Sequence, residues 1–315
     1  MDAEVTYRRL LLDVAGRREV QGFIREQPAA RSIALRFVAG ETLDDGLRAV
    51  RELNRRGFSA SLDHLGENTT NPDEARSATR AYVELLERLS AERLDANVSL
   101  KLTQLGLDLD EALCVGHLER IVARARDLQN FVRIDMESSA YTERTLAIFR
   151  RVFARHPGHV GPVIQAYLYR SAGDVRDLIR LGARVRLCKG AYSEPASVAF
   201  PRKPDVDRNF VRLMELLVLL ARYPAIATHD AAIIEHARRF ADRWSIDRQR
   251  FEFQMLYGVR RDLQAHLRRG GYRVRVYVPF GTAWYPYLTR RLAERPANLL
   301  FVLGSLAREA VARAG

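Results

Sequence analysis

Lysine is almost absent from this sequence: of 51 basic residues, only Lys101, Lys189 and Lys203 are lysines. Cysteine is as scarce. Cys114 and Cys188 build no disulfide framework in a chain of 315 residues, and two free thiols suit a reducing cytoplasm. The longest clean apolar stretch, Leu216–Ala221, is far short of the ~20 residues a membrane-spanning helix needs. The opening Met1-Asp2-Ala3-Glu4 is too acidic for a signal or transit peptide, so the sequence predicts a soluble, cytoplasmic chain. It also lacks Cys/His spacing of the zinc type, a serine nucleophile elbow and a Walker phosphate loop, and no metal is expected.

The formal net charge of +12 raises nucleic acid or an anionic membrane surface as partners. The charge is scattered, with 39 acidic residues interspersed, no basic tail and no arginine stripe interleaved with aromatics. Nucleic-acid binding is therefore not expected. Within so arginine-rich a composition, a surviving lysine marks either chance or a place where a compact ammonium is needed and a planar fork would not fit.

A hydrophobic fraction of 47% is enough for a substantial core. Strand-like runs at 58–67, 97–106, 131–139, 160–169, 183–192, 225–230, 251–258 and 272–281 alternate with helical patterns. Eight βα units predict an α/β fold, a (β/α)8 barrel with a parallel sheet. Residues 1–55 read as N-terminal helices packed on the barrel, and 56–315 as the barrel, in one domain overall.

Alternation within the strands separates two faces. Val98, Leu100 and Leu102 oppose Ser99 and Lys101; Val132, Ile134 and Met136 oppose Arg133, Asp135 and Glu137; Val274, Val276 and Val278 oppose Arg273, Arg275 and Tyr277. If the apolar face serves the helices, the barrel interior is unusually polar. Such charges cost several kcal/mol unless paired or holding a ligand. Two readings stand: an ion-paired core that satisfies itself, or a polar cup at the C-terminal mouth, where barrel enzymes place their chemistry. The strand ends supply Asp63, Glu67, Lys101, Asp135, Gln165, Arg186, Lys189, Thr228, His229, Gln254, Leu256 and Tyr277. That set suits an anionic substrate and a phosphate-bearing cofactor.

In order, "SLDHLGE", "SLKLTQLG", "RIDMESS", "VIQAYL", "RLCKGAY", "ATHD", "EFQMLYG" and "YVPFGTAWYPYLTRRLAERPAN" closely resemble the proline dehydrogenase family, especially its short monofunctional bacterial form. The resemblance runs from about residue 55 to 304. It implies a distorted (β/α)8 barrel that binds FAD at the strand ends. It further implies oxidation of L-proline to Δ1-pyrroline-5-carboxylate by hydride transfer from proline C5 to flavin N5, the first step of proline catabolism. Electrons would pass to a membrane quinone, with peripheral contact at the inner face of the membrane.

Carried across by position, the resemblance assigns Arg290, Arg291 and Lys101 to the substrate carboxylate, with Glu67 as the acidic partner of Arg290. Tyr277, Tyr287, Leu256 and Ala191 would wall the proline ring. Asp135 would stand beside the flavin and Lys101, and Arg186 and Gln165 would touch the isoalloxazine. Lys189, Gly190, Ala191, Thr228 and His229 match flavin-contact positions, and Lys203 lies in a loop motif that would meet the cofactor phosphates. Catalysis is thus expected of Lys101, Asp135, Arg186 and Tyr277. His64, Cys188 and Ser193 depart from the family pattern without falling on an assigned residue. The rival readings are another flavin barrel, of the methylenetetrahydrofolate reductase kind, which lacks the adjacent-arginine clamp, and a basic barrel that binds nucleic acid.

Overall fold

Eight short parallel strands pair in chain order until the last meets the first. They are β1 (Ser59–His64), β2 (Ala96–Leu100), β3 (Val132–Ile134), β4 (Val160–Gln165), β5 (Arg186–Cys188), β6 (Ala225–Ala227), β7 (Glu252–Leu256) and β8 (Arg273–Phe280). β1 pairs with β2 on one side and β8 on the other, which closes the barrel. The structure, a computed structural model, describes residues 35–293, with side chains described as far as Leu288.

The alternation read from the sequence becomes a register. Leu62 stands opposite Val98, Val98 opposite Val132, and Val132 opposite Val160. A second apolar row runs Ile164, Leu187, Ile226, Phe253, Val274. Because strand side chains alternate with period two, these rows share the outer face and the charged residues between them turn inward. The outer rows join one core with Leu85, Leu118, Phe149 and Phe210. Those four come from α2 (Pro72–Ala91), α3 (Glu111–Asp127), α4 (Ser139–Arg155) and, past α5 (Ser171–Arg180), α6 (Lys203–Leu220).

Side chains fix several helix starts. Asn71 caps α2 by accepting from the Glu74 N–H, with Pro72 in the first turn. Asp230 caps α7 (Ala231–Arg243) by accepting from Ala232 and Ile233. Such caps satisfy N–H groups that have no partner inside the helix.

The two ends of the described chain exchange the places a regular barrel would give them. α1 (Leu43–Arg55) precedes β1, yet its Leu47, Val50 and Leu53 fill the outer slot against β1 and β8. Gly46 allows that approach, since a Cβ there would meet Leu62 and Phe280 at 3.1 Å. The helix that follows β8 would ordinarily occupy this slot. After α8 (Arg261–Arg269) and β8, however, α9 (Trp284–Ala293) turns over the mouth instead. Trp284, Tyr285, Tyr287 and Leu288 cluster with Leu65 just beyond β1, and Tyr277 and Val259 pack against them. The rest of the expected N-terminal extension, residues 1–34, lies outside the described residues.

Inside the barrel, one glycine admits a charge. Gly161 of β4 pairs with Arg133 of β3, and a Cβ there would lie 2.2 Å from the Arg184 carbonyl oxygen and 2.9 Å from Arg133 Nη1. Backbone and guanidinium leave no room for a methyl group. Overpacking of this kind costs about 1–3 kcal/mol. Gly161→Ala is expected to lower unfolding stability in urea by about 2 kcal/mol or more. An unchanged urea midpoint would show that the base of β4 shifts freely.

Candidate active site

At the mouth, one carboxylate gathers side chains from three strands. Asp135 follows β3 directly. Its Oδ1 accepts from Arg186 Nη1 at 2.6 Å and from Ser99 Oγ at 2.7 Å, and its Oδ2 accepts from the Tyr277 hydroxyl at 2.8 Å. Arg186 also donates to Ser99 Oγ at 3.2 Å and through Nε to Gln254, while its guanidinium lies 5.4 Å from the centre of the Tyr277 ring. Gln165 ends β4 and donates to the Glu137 carbonyl at 3.1 Å. Every one of these side chains lies inward because its neighbours in sequence face the helices.

Beside Asp135 lies a second buried pair. Lys101, one residue past β2, has its Nζ 3.7 Å from Asp63 Oδ2. Asp63 is only 1% exposed and neither of its oxygens has a hydrogen-bond partner among the described residues. Burial pushes the Asp63 carboxyl up against the pull of Lys101. For Lys101, burial acts to lower the ammonium, but Asp63 and then Asp135 and Glu67 outweigh it and hold the group above its ordinary value. The Tyr277 hydroxyl is pushed well up, by burial first and the Asp135 charge second. The mouth therefore presents an ammonium kept charged by three carboxylates, with Glu67 on the loop after β1 completing the set.

A separate cluster occupies the rim after β5 and β6. Lys189 Nζ donates to Asp230 at 2.8 Å and to Asp207, and Lys203 Nζ also donates to Asp207. Lys203 is largely exposed, so this pairing is open to water and contributes little to stability. Gly190 has φ +115°, and the Tyr167 ring fills the space a Cβ would need. Thr228 is buried and accepts from the Asp230 N–H at 3.1 Å. His229 Nε2 accepts from the Leu256 N–H at 2.9 Å, which ties the end of β6 to the end of β7. The loop after β5 is tied to the start of α4 and the end of β4 by Glu194, which accepts from the Ser139 N–H at 2.7 Å and the Tyr167 hydroxyl at 3.3 Å.

A family description, proline dehydrogenase, matches residues 46–303 of the chain. The chain belongs to the proline dehydrogenase family. It is similar to proline dehydrogenase from Deinococcus radiodurans, 42% identical over 301 residues, covering 94% of this chain and 96% of that protein. It is also similar to proline dehydrogenase 1 from Bacillus subtilis, 44% identical over 270 residues, covering 86% of this chain and 89% of that protein. The match spans nearly the full length of both relatives. Among solved structures, proline utilization A from Bdellovibrio bacteriovorus inactivated by N-propargylglycine superposes with a TM-score of 0.77 at 27% identity. That match covers 84% of this chain and 32% of the longer protein.

The structure sorts the residues expected from the proline dehydrogenase resemblance into places. Lys101, Asp135, Gln165, Arg186 and Tyr277 converge at the centre of the mouth, with half-buried Leu256 and Glu67 at its edge. Tyr287 is buried in the apolar cap beside Tyr277. Lys189, Gly190, Ala191, Lys203, Thr228 and His229 form the β5–β6 rim. Arg290 and Arg291 lie on α9, and their side chains fall outside the described residues. Of the departures from the family pattern, the His64 ring stacks on Phe280 at 5.2 Å, Cys188 is half-buried and Ser193 is exposed.

Sequence reasoning left Asp63 and Ser99 without a role. Ser99 shares a strand face with Lys101, so parity alone pointed it at Asp135. Which carboxylate Lys101 meets depends on strand register instead. The Asp135–Arg186 contact predicts a specific coupling, since breaking a buried pair from one side costs about 3–5 kcal/mol. Asp135→Asn is expected to destabilise by about 3 kcal/mol, and Asp135→Asn with Arg186→Gln by clearly less than the two single losses combined. Additive losses in urea unfolding would show that the two groups do not act as a pair.

Proposed function

We propose that this chain oxidises L-proline to Δ1-pyrroline-5-carboxylate with FAD as its cofactor, and that the electrons leave to a quinone. The observation that carries the reading is the buried mouth cluster. A charged Lys101, held by Asp63 and Asp135, faces the same space as Arg186, Gln165 and Tyr277 in a chain of the proline dehydrogenase family.

The residues present fit a flavin. Gln165 Oε1 and Arg186 Nη2 are buried without hydrogen-bond partners among the described residues. One is an acceptor and the other a cationic donor, which matches the alternating N–H and C=O edge of an isoalloxazine ring. FAD, when bound, supplies the acceptor for the hydride that leaves proline C5. Arg186 and Gln165 would hold the ring edge, with Asp135 keeping Arg186 in place. Lys189, Gly190, Ala191, Thr228, His229 and Lys203 would hold the remainder of the cofactor from the rim.

The protein's own part is position and charge. Lys101 binds the substrate carboxylate as a compact cation, and Arg290 and Arg291 add two planar forks from α9. Glu67 would orient Arg290. Tyr277, Tyr287, Leu256 and Ala191 exclude water from the ring, Tyr287 from within the apolar cap formed by Trp284, Tyr285 and Leu288. Holding one end of a small rigid ring fixes the other end, so a carboxylate clamp orients C5 without touching it. Asp63 acts through Lys101 and is a positioning residue.

Transfer to a quinone implies contact with a membrane surface. Among the described residues no helix is long and apolar enough to cross one, so the contact we propose is peripheral. The chain acts as one domain, in which α1 (Leu43–Arg55) closes the outside of the barrel against β1 and β8.

The reading predicts a yellow protein whose flavin absorbance bleaches when L-proline is added without oxygen. Pyrrolidine, which lacks the carboxylate, should bleach it far more slowly. A protein that takes up no FAD on reconstitution, or one that proline leaves oxidised, would contradict it.

A further inference from the structure

The base of the barrel, opposite the mouth, contains a cavity of about 500 Å³ between the N-terminal ends of the strands. Arg133, Arg184 and Arg275 line it together with Glu252, Asn97 and Asp95, whose Oδ2 accepts from Ser59 Oγ at 2.6 Å. Arg275 is spoken for: its Nε donates to both oxygens of Glu252 at 2.9 and 3.1 Å, and its Nη1 to Asn97 Oδ1 at 3.1 Å. The other buried cations of the interior are paired too, Lys101 with Asp63 and Arg186 with Asp135. Arg133 and Arg184 differ. Among the described residues neither forms an ion pair with a carboxylate, and the Nε of each is buried without a hydrogen-bond partner.

Both guanidinium groups are held firmly. Arg133 is 3% exposed and donates through Nη1 to the carbonyls of Pro162, at 2.9 Å, and Arg184. The two guanidinium carbons lie 4.8 and 4.4 Å from the centre of the Phe131 ring, and Arg184 also lies 4.8 Å from that of Tyr223. Burial and then the neighbouring Arg186 and Arg184 push Arg133 well below the ordinary arginine range. An arginine does not give up its proton in a protein, so the cost must be met by a counter-charge. Aromatic faces offset part of it, and Glu252 is already engaged by Arg275 and Gln254.

We propose that the base cavity is a binding site for a small dianionic oxyanion, a phosphate or a short dicarboxylate, held by Arg133 and Arg184. Two guanidinium groups on the cavity wall that form no ion pair with a carboxylate among the described residues match two negative charges. The proposal is independent of the reaction at the mouth, because no residue placed there supplies the two arginines.

The test is calorimetric titration of the full chain with inorganic phosphate and, separately, with succinate, at ionic strength held constant with chloride. Saturable one-to-one binding is expected for at least one probe, and the stronger of the two identifies the source. Arg184→Met keeps the apolar stem on Phe131 and Tyr223, and should weaken that binding about tenfold or more. Its proline turnover and its circular dichroism should match wild type. Arg184→Lys retains a charge with fewer placed donors and should fall between the two, a comparison that survives if the methionine variant folds poorly. Absence of saturable binding by either probe would overturn the site. So would affinity that is the same in wild type and both variants, or competition by L-proline, which would put the anion at the mouth.

Discussion

Three donors from three strands end on one carboxylate: Arg186, Ser99 and Tyr277 all reach Asp135. The mouth is built around that convergence. Without Asp135 the Arg186 guanidinium would keep only Gln254 and Ser99, and the Tyr277 hydroxyl would lose its acceptor. Lys101 would also lose one of the carboxylates that hold its charge against burial. The arrangement is affordable only as a network, because each buried charge is costly unless its partners are in place. The same rigidity is what a site needs if it is to orient a small ring by its carboxylate.

The polar interior divides into two levels. Toward the mouth, the paired charges leave donors and acceptors over, Arg186 Nη2 and Gln165 Oε1, which a cofactor can use. Toward the base, Arg275 and Glu252 satisfy each other while Arg133 and Arg184 do not. Gln254 joins the levels: it accepts from Arg186 above and donates to Glu252 below. Neither a self-satisfied ionic core nor an open cup describes the whole barrel. Each describes part of one level.

Much of this was legible in the sequence. Seven of the eight strands lie within the runs read from it and β2 starts one residue before its run, and the period-two alternation assigned Val98, Val132 and Val274 to the helices and their polar neighbours to the interior. Motif order placed Lys101, Asp135, Arg186 and Tyr277 together, as the structure does. What stayed hidden depends on three-dimensional register. Local pattern says that Leu43–Arg55 is amphipathic, but not that it takes the slot between β8 and β1 while α9 crosses the mouth. Asp63 was visible as a strand-end carboxylate, but its partner is set by the pairing of β1 with β2, which no spacing encodes. Arg133 was read as an interior charge without a role and Arg184 drew no notice, since strand N-termini are where barrels ordinarily keep stability rather than chemistry.

The central claim is that carboxylates around Lys101 keep it charged so that it can bind the substrate carboxylate. It is tested most directly by the pH dependence of proline affinity in wild type and Asp63→Asn. Burial acts to lower Lys101, and Asp63 is the largest force opposing it. Without that carboxylate the ammonium should lose its proton at a lower pH. Titration of proline's own amine is common to both proteins and cancels in their ratio. The account predicts that the variant binds proline more weakly by a factor that grows as the pH rises from neutral toward ~9.5. A ratio that stays constant across that range would show that Asp63 does not govern the charge on Lys101.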